Sequence, residues 1–233
     1  MQMSELFRIG NAVATRFPDI KIGVAVIRDV HVILESPALE ALKHTVLTEV
    51  RTQLGGKPLA ELPRVQAFRR IYRAFGVDPG SRRPSAEALL RRALDPTREL
   101  YHVNSVVDAY NLSSIESQLP MAAYDLDRVV PPITLRFAQA GELYRGIGQA
   151  QPEPMDAGEL VYADQLNILC RDFNYRDADV TKVTSETKNL VIFVDGCDEV
   201  STGELAETLQ KVAERIMVFN GGAIEMSALY PSE

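Results

Sequence analysis

Side chains able to do chemistry concentrate in two polar segments, residues 104–127 and residues 170–189. The first segment places Asp108, Asn111 and Asp125 beside apolar runs and is interrupted by Pro120. Carboxylates suit an ammonium group, and arginines suit a carboxylate or a phosphate. The two segments together predict a pocket for a small zwitterion. The second segment contributes Arg171, Asn174, Arg176, Thr184, Glu186 and Thr187.

Each of these side chains also has a structural interpretation. Asp108 and Asn111 could cap a helix that starts at Leu112, and Asp125 could form an exposed ion pair with Arg128. The two arginines at 171 and 176 have aspartates close in sequence, and the threonines are ordinary strand residues. For the second segment as a group a site is favoured, because so much polarity between two apolar runs is otherwise hard to place.

Several catalytic and metal-binding patterns are missing from the sequence. It has no Gly-x-Ser-x-Gly, Walker or His-Glu-x-x-His motif, and only three histidines. Cys170 and Cys197 lie outside any Cys-x-x-Cys or Cys/His cluster, which favours buried reduced thiols over zinc. The Gly146-Ile147-Gly148 run lacks the third glycine of a dinucleotide site. We therefore expect no metal and no cofactor.

The charge of the chain is uneven. Between Arg64 and Arg98 there are nine arginines, no lysine and three acids, so this window carries +6 while the whole chain carries −7. A basic island on an acidic body is typical of a protein that contacts phosphate with one face. The alternative is a solvated helix face neutralised by acids elsewhere in the fold. The candidate RNA contacts are Arg69, Arg70, Arg73, Arg82, Arg83, Arg91 and Arg92.

Apolar spacing and cap residues predict the elements that position these side chains. The first half reads as a helix over 4–17, a strand over 20–30, and a helix over 37–54 capped by Ser36 and ended by Gly55-Gly56. Two basic helices follow over 64–75 and 84–94. The second half reads as strands at 133–138, 159–162, 166–171 and 190–194, the last one central, then a helix over 201–218 ended at Asn220-Gly221-Gly222.

These elements predict an α+β fold with a mixed sheet or barrel-like core flanked by helices. We expect a single domain over 1–233, with 1–20 as a possible N-terminal helical extension. The sequence has no apolar run near 18 residues and no basic-then-apolar leader, so we expect no membrane partner and a cytoplasmic protein.

The chain also resembles a known family. The runs VVDAYN and LPMAAYDLD, together with CRDFNYRDADVTKVTSETKN and YRAFGVDPGSRRPSAEALLRRAL, resemble the B3/B4 editing domain of the bacterial phenylalanyl-tRNA synthetase beta subunit. They resemble free-standing proteins made of that domain alone more closely still. The resemblance covers most of the chain from about Ile22 and implies the same fold. It also implies hydrolysis of the ester that joins a wrong amino acid, tyrosine in that family, to the terminal ribose of tRNA.

The family pattern is only partly kept. Pro120, the Tyr124-Asp125 pair and the Val107-Asp108 pair match, whereas Ala122 stands where the family has a histidine and Tyr110 where it has a threonine. Two conclusions stay open. A water oriented by threonine, amide or backbone groups, with help from the substrate's ribose hydroxyl, could hydrolyse an ester of an amino acid smaller than tyrosine. Alternatively, loss of the histidine leaves a module that only binds.

We predict a deacylase of misacylated tRNA. The alternatives are a non-catalytic module for tRNA or an amino acid, and a small-molecule enzyme or sensor for an amino acid-like ligand. The expected partner is tRNA or aminoacyl-tRNA rather than DNA. The hypothesis requires Asp125 and Arg176 to face one cleft. The candidate catalytic residues are Asn111, Asp125, Asn174 and Thr187, and the candidate substrate contacts are Asp108, Tyr110, Ala122, Tyr124, Arg171, Arg176, Thr184 and Glu186.

Overall fold

The computed structural model describes residues 2–231 and contains seven helices and eleven strands in that range. The helices are α1 Met3–Leu6, α2 Asn11–Arg16, α3 Pro37–Leu54, α4 Pro63–Ala74, α5 Ser85–Leu94, α6 Ser105–Ser117 and α7 Thr202–Asn220. The strands are β1 Phe7–Ile9, β2 Lys21–Arg28, β3 Met121–Asp125, β4 Ile133–Phe137, β5 Leu143–Tyr144, β6 Glu153–Pro154, β7 Leu160–Ala163, β8 Ile168–Arg171, β9 Arg176–Asp177, β10 Leu190–Gly196 and β11 Ala223–Pro231.

The strands form two main sheets and a small two-stranded one. A four-stranded antiparallel sheet has the order β11-β2-β10-β3, and a five-stranded sheet has the order β1-β4-β7-β8-β9. The second sheet is mixed, since β1 runs parallel to β4 while the other pairs are antiparallel. All seven residues of β10 are buried, as expected for a central strand, so the predicted α+β fold with a mixed sheet flanked by helices is confirmed.

Aromatic rings join the two main sheets. The Phe193 ring of β10 lies 5.2 Å from the ring of Phe7 in β1 and 5.1 Å from the ring of Tyr162 in β7. Tyr124 of β3 lies 5.6 Å from the same phenylalanine. Edge-on and tilted arrangements at these distances are favourable beyond simple area burial. The inner faces of the two sheets therefore form one apolar core.

Helices cover the opposite side of the four-stranded sheet. α7 packs against β2, β10 and β11, and α6 packs against α7 and β3, with α3 and α5 outside it. The buried face of α7 is the predicted one, with Leu205, Leu209, Val212 and Ile216 all inaccessible. Ser201 caps this helix by accepting the Glu204 N–H. No helix among residues 2–231 has both the length and the apolarity to cross a membrane.

The predicted helix boundaries are accurate in the middle of the chain and wrong at its start. Ser36 accepts the Leu39 N–H, and α3 covers 37–54 as predicted. The predicted helix over 4–17 is interrupted by β1, because Phe7 pairs with Ile133 and buries its ring between the sheets. The apolar spacing of this segment fits either structure, and the long-range pairing decides.

The start of α6 and two strands also differ from the sequence-based expectations. Asn104 caps α6 by accepting the Val106 and Val107 N–H groups, so Asp108 and Asn111 lie inside the helix and do not cap one at 112. β3 and β11 are strands that the sequence patterns did not identify. β3 brings the LPMAAYD motif next to β10, and this places it in the core.

Candidate functional site

The two polar segments meet at the edge of the four-stranded sheet. The Asp125 N–H donates to the Thr181 carbonyl at 2.9 Å, and Tyr124 forms a bridge with Lys182. The Thr187 hydroxyl donates to Asp125 Oδ2 at 2.7 Å. The expected proximity of the two segments is thus present in the structure, although about 60 residues separate these partners in sequence.

Asp125 and Thr187 close a turn at this edge. The carboxylate of Asp125 is buried, accepts the Asp127 N–H as well, and lies 3.5 Å from Arg128. Thr187 Oγ1 accepts the Thr184 N–H, which ties the residues before β10 into the same turn. Thr184 Oγ1 in turn accepts the N–H of Glu186, whose side chain is exposed. The catalytic role of this group stays a prediction, and the contacts give it a role in the fold.

Asp125 and Arg176 do not face each other, so the prediction that these two residues face one cleft is wrong. Successive side chains in a strand point to opposite faces, so Tyr124 points between the sheets while Asp125 points the other way. Arg176 is exposed and donates to the Ile147 carbonyl at 2.7 Å, whereas its neighbour Asp177 points inward. The side chains that meet are the neighbours of the expected pair: the Tyr124 hydroxyl lies 3.3 Å from Asp177 Oδ1.

Asp177 is the centre of a group that we call the Asp177 cluster, formed by Tyr110, Tyr124, Cys170 and Asp177. Burial raises the pKa of Asp177 to about 6, although hydrogen bonds from Cys170 and Tyr124 oppose the shift. Burial and then the Asp177 charge raise the pKa of Tyr110 and Tyr124. An acid whose pKa is raised in this way is typical of a functional position. Sequence reasoning missed it because an aspartate beside an arginine in a polar segment has no distinguishing pattern.

Three predicted residues belong to the Asp177 cluster or lie close to its members in sequence. Tyr110 is 8% exposed, and its hydroxyl has no hydrogen-bond partner among residues 2–231. Ala122 lies on the same strand face as Tyr124, two residues earlier. Asn111 follows Tyr110 on α6 and is partly exposed. Asp177 is partly exposed as a residue, while burial of its carboxylate is what raises the pKa.

Asn174 belongs to a separate buried network. Its Oδ1 accepts the Tyr72 hydroxyl at 2.8 Å, and its Nδ2 donates to Asp195 Oδ2 at 3.0 Å. Asp195 also accepts the Tyr162 hydroxyl at 2.5 Å, and burial raises the pKa of Asp195 to about 7. The amide of Asn174 thus orders the interior between the sheets, and its predicted catalytic role stays a prediction.

Arg171 is held by a cluster of acids. Its guanidinium forms two hydrogen bonds with Glu159, at 2.7 and 2.9 Å, and also bonds Glu153. Arg82 adds a bond to Asp172 at 2.9 Å, and burial raises the pKa of that aspartate. These contacts join β6, β7 and β8 to the segment before α5. With its donors engaged, Arg171 is positioned as a structural cation, and its substrate contact stays a prediction.

Most arginines of the basic island also have acidic partners. Glu87 is 1% exposed and is approached by Arg69 at 2.6 Å, Arg91 at 3.1 Å and Arg83 at 4.0 Å. Arg70 pairs with Asp198 at 2.6 Å. Glu87 lies inside the same window, so its contacts leave the net charge of +6 unchanged, whereas Arg70 reaches an acid elsewhere in the fold, as the alternative of a neutralised helix face predicts.

Two arginines of the island remain available in part. Arg73 is exposed, and its guanidinium has no ion-pair or hydrogen-bond partner among residues 2–231. Arg92 stacks over the Tyr101 ring with its guanidinium carbon 3.8 Å from the centroid. The predicted RNA contacts as a set stay a prediction.

Asp108 points away from the Asp177 cluster. Its Oδ2 lies 2.5 Å from His102 Nδ1, and its Oδ1 accepts the Val103 N–H at 3.0 Å. The Asp108 bond, opposed in part by desolvation, raises the pKa of His102. The predicted substrate-contact set therefore divides into five places: the Asp177 cluster with Ala122 nearby, the acid cluster around Arg171, the His102 contact, the turn that holds Thr184 and Glu186, and the surface position of Arg176.

The fold and the cluster define a two-sheet α+β domain that holds a partly accessible acid among tyrosines. Residues 67–220 match the family model of the B3/4 domain, about two thirds of the chain, and the chain belongs to that family.

Curated relatives are phenylalanine–tRNA ligase beta subunits. The one from Mycoplasma genitalium is 28% identical over 118 residues, covering 51% of this chain and 14% of that protein. The one from Haemophilus ducreyi is 31% identical over 90 residues, covering 39% and 11%. The chain thus spans a small part of these relatives. A solved N-terminal fragment of the phenylalanyl-tRNA synthetase beta subunit from Pyrococcus horikoshii matches 97% of this chain and 54% of its own, with 14% identity and a TM-score of 0.49.

Proposed function

We propose that the chain hydrolyses the ester of a misacylated tRNA and binds the aminoacyl end at the Asp177 cluster. Membership of the B3/4 family supports a role related to tRNA synthetases. Two relatives carry the name of a tRNA ligase subunit, and the transfer of a tRNA substrate to this chain is part of the proposal. A cytoplasmic location belongs to the same proposal.

The observation that carries the proposal is the contact of the Asp177 carboxylate with the Tyr124 hydroxyl, two residues after Ala122 on the same strand. The family pattern has a histidine where this chain has Ala122, so the pattern's own base is missing. Asp177 reaches the same strand face through its contact with the Tyr124 hydroxyl at 3.3 Å. With a pKa of about 6 it is ionised near pH 7 and is a stronger base than an ordinary aspartate.

The chemistry needs one base and one donor. Asp177 takes a proton from water as the water oxygen bonds to the ester carbonyl carbon. The Tyr110 hydroxyl, which stays protonated because burial raises its pKa, donates to the developing oxyanion. When the carbon–oxygen bond to the ribose breaks, the ribose oxygen takes the proton from Asp177. Water is consumed, and a free amino acid and a tRNA with a free hydroxyl are formed.

Specificity follows from the size of the side chains around the site. Tyr110 stands where the family pattern has a threonine, so a bulky ring occupies space beside Asp177. We propose that the amino acid removed is smaller than tyrosine. The RNA contact would start from Arg73, whose guanidinium has no partner in residues 2–231, and from the Arg92–Tyr101 stack.

A second candidate is a module that binds aminoacyl-tRNA or an amino acid without turnover. It is favoured by the hydrogen bonds of Asp125, Asn174 and Thr187, which use their polar atoms within the protein. In this case Asp177 would bind the ammonium group of the ligand as a fixed negative charge.

Deacylation of a panel of mischarged tRNAs by the purified chain tests the proposal. We expect at least one pair to be hydrolysed, with loss of about 100-fold or more in Asp177→Asn. Asp179→Asn is the matched control, because Asp179 lies two residues away and pairs outside the cluster with Arg145 and Lys182. If no mischarged tRNA of the panel is hydrolysed, the proposal that the chain is a deacylase is rejected. Salt-sensitive binding without turnover would instead support the second candidate.

A further inference from the structure

Three side chains with metal-ligand chemistry meet near the N-terminal end of α3, away from the Asp177 cluster. They are Glu40 of α3, His102 of the loop before α6, and Asp108 of α6. His102 Nδ1 lies 2.5 Å from Asp108 Oδ2 and 3.9 Å from Glu40 Oε1. All three ligand atoms lie within 4.8 Å of one another. The proposed hydrolysis does not use this group.

The surroundings orient two of these ligands. Asp108 is 4% exposed, and the Val103 N–H holds its Oδ1, which leaves Oδ2 directed at the imidazole. The backbone of Leu34 bonds the His102 ring as well. Ligands in metal sites are oriented by contacts of this kind to backbone and other polar groups.

The charges of the group suit a cation. Two carboxylates and a neutral imidazole carry −2, and the cation that now offsets Glu40 is Lys43, with Nζ 3.1 and 3.3 Å from its two oxygens. The group borders a cavity of about 590 Å³, lined also by Arg92, Glu99 and Tyr101. A bound ion would therefore have room for a water molecule as a further ligand.

We propose that Glu40, His102 and Asp108 bind a divalent first-row metal ion, with Zn²⁺ as the representative. One imidazole nitrogen and two carboxylate oxygens are ligands that zinc accepts. With bonds of about 2.0–2.1 Å in a tetrahedral site, ligand atoms lie about 3.4 Å apart. The Asp108–His102 contact has to open by about 1 Å, and Glu40 has to approach. The Glu40 side chain is 46% exposed and free to adjust.

The ion would join α3, the loop before α6 and α6 itself at one point. The three ligands are separated by 62 and 6 residues in sequence, so the ion would link distant parts of the chain in the folded state only. Binding that favours the folded state raises the unfolding temperature in proportion to the logarithm of the free ligand concentration. The site is thus proposed to stabilise the chain and to be independent of the hydrolysis.

Isothermal titration of the EDTA-treated full chain with ZnCl₂, together with thermal unfolding, tests the site. We expect one Zn²⁺ per chain and a higher unfolding temperature with zinc. We expect affinity to fall at least tenfold in His102→Gln and in Glu40→Gln. His44→Gln is the matched control, because His44 is exposed on the same helix and should leave binding unchanged. Lys43→Met should increase the affinity several-fold, since it removes the ammonium group that competes for Glu40.

Some outcomes would overturn the proposal. These are the absence of zinc binding in the wild type, or the same affinity in His102→Gln. A sulfur ligand in the X-ray absorption spectrum of the zinc form would also reject it, because it would place the ion at Cys170 or Cys197. If zinc binds tightly but Lys43→Met has the same zinc affinity as the wild type, Glu40 is not a ligand of the ion.

Discussion

The Tyr162 hydroxyl of one sheet donates to the Asp195 carboxylate of the other at 2.5 Å. Asn174 and Tyr72 extend this contact into a buried chain of hydrogen bonds that ends on α4. Asp195 is 3% exposed, and no cation is among its partners in residues 2–231. The ionised carboxylate is therefore costly in this position, and burial raises its pKa to about 7.

Replacing Asp195 with asparagine should stabilise the protein at alkaline pH. The folded pKa lies above the usual 3.8, so the stability associated with protonation is present at low pH and is lost as the pH rises towards 7. A rise from 3.8 to about 7 corresponds to an effect on the order of 4 kcal/mol at most. We expect Asp195→Asn to gain stability over the wild type between pH 4 and pH 8, measured by urea unfolding.

Asp19→Asn is the control for this experiment, since Asp19 is exposed. It should change the free energy of unfolding by less than about 0.5 kcal/mol at both pH values. A difference between Asp195→Asn and the wild type that does not depend on pH would mean that Asp195 keeps the same protonation state in the folded and unfolded chain.

The rate of ester hydrolysis should rise with pH and reach a plateau. Asp177 has to be ionised to accept a proton, and its pKa is about 6, so kcat/KM should follow an apparent pKa near 6 after the spontaneous reaction is subtracted. Asp177→Glu should keep part of the activity and change this value. A flat profile between pH 5 and 8 would exclude Asp177 as the base.

Arg73 and Arg69 should behave differently when replaced with alanine. Arg73 is exposed and its guanidinium has no partner among residues 2–231, so its loss should weaken tRNA binding several-fold without changing stability. Arg69 bonds the buried Glu87, so Arg69→Ala should lower the free energy of unfolding by about 2 kcal/mol or more. Filter binding at two salt concentrations and urea unfolding separate the two effects. If Arg73→Ala and Arg69→Ala lost the same tRNA affinity and had the same free energy of unfolding, the assignment of Arg73 to RNA binding and Arg69 to the fold would be contradicted.

Glu87→Gln should destabilise the chain and increase its free positive charge. Glu87 is buried among Arg69, Arg83 and Arg91. Burial, the largest single effect, raises its pKa, but the hydrogen bonds and charges of Arg69 and Arg91 together outweigh it and lower the pKa. Removing the carboxylate leaves cations without a counter-charge, at a cost of about 2–4 kcal/mol. Unfolding by urea measures the loss, with exposed Glu61→Gln as control. An unchanged unfolding midpoint would mean that the three arginines are fully solvated.

Local patterns in the sequence determined much of the fold. The cap at Ser36, the glycines after Leu54 and the apolar spacing of α7 act within a few residues, and the corresponding elements have the predicted type and nearly the predicted bounds. The central position of β10 followed from its continuous apolar run. The motifs also identified the family, which the family model confirms over residues 67–220.

Long-range contacts decided what local patterns left open. β1 is a strand inside a predicted helix because Phe7 pairs with Ile133, about 130 residues away in sequence. The site differs from the predicted one for the same reason. Strand alternation directs Asp125 and Arg176 away from each other and brings together their neighbours Tyr124 and Asp177.

The sequence by itself determined the helices α3, α4, α5 and α7, the central strand and the family, since those depend on spacing within a segment. Only the tertiary structure decided that Asp177 lies among tyrosines, that Glu87 is shared by three arginines, and that Glu40 lies beside His102 and Asp108. The physical reason is that burial and proximity set the pKa and charge of a side chain, and both arise from segments that meet only when the chain is folded.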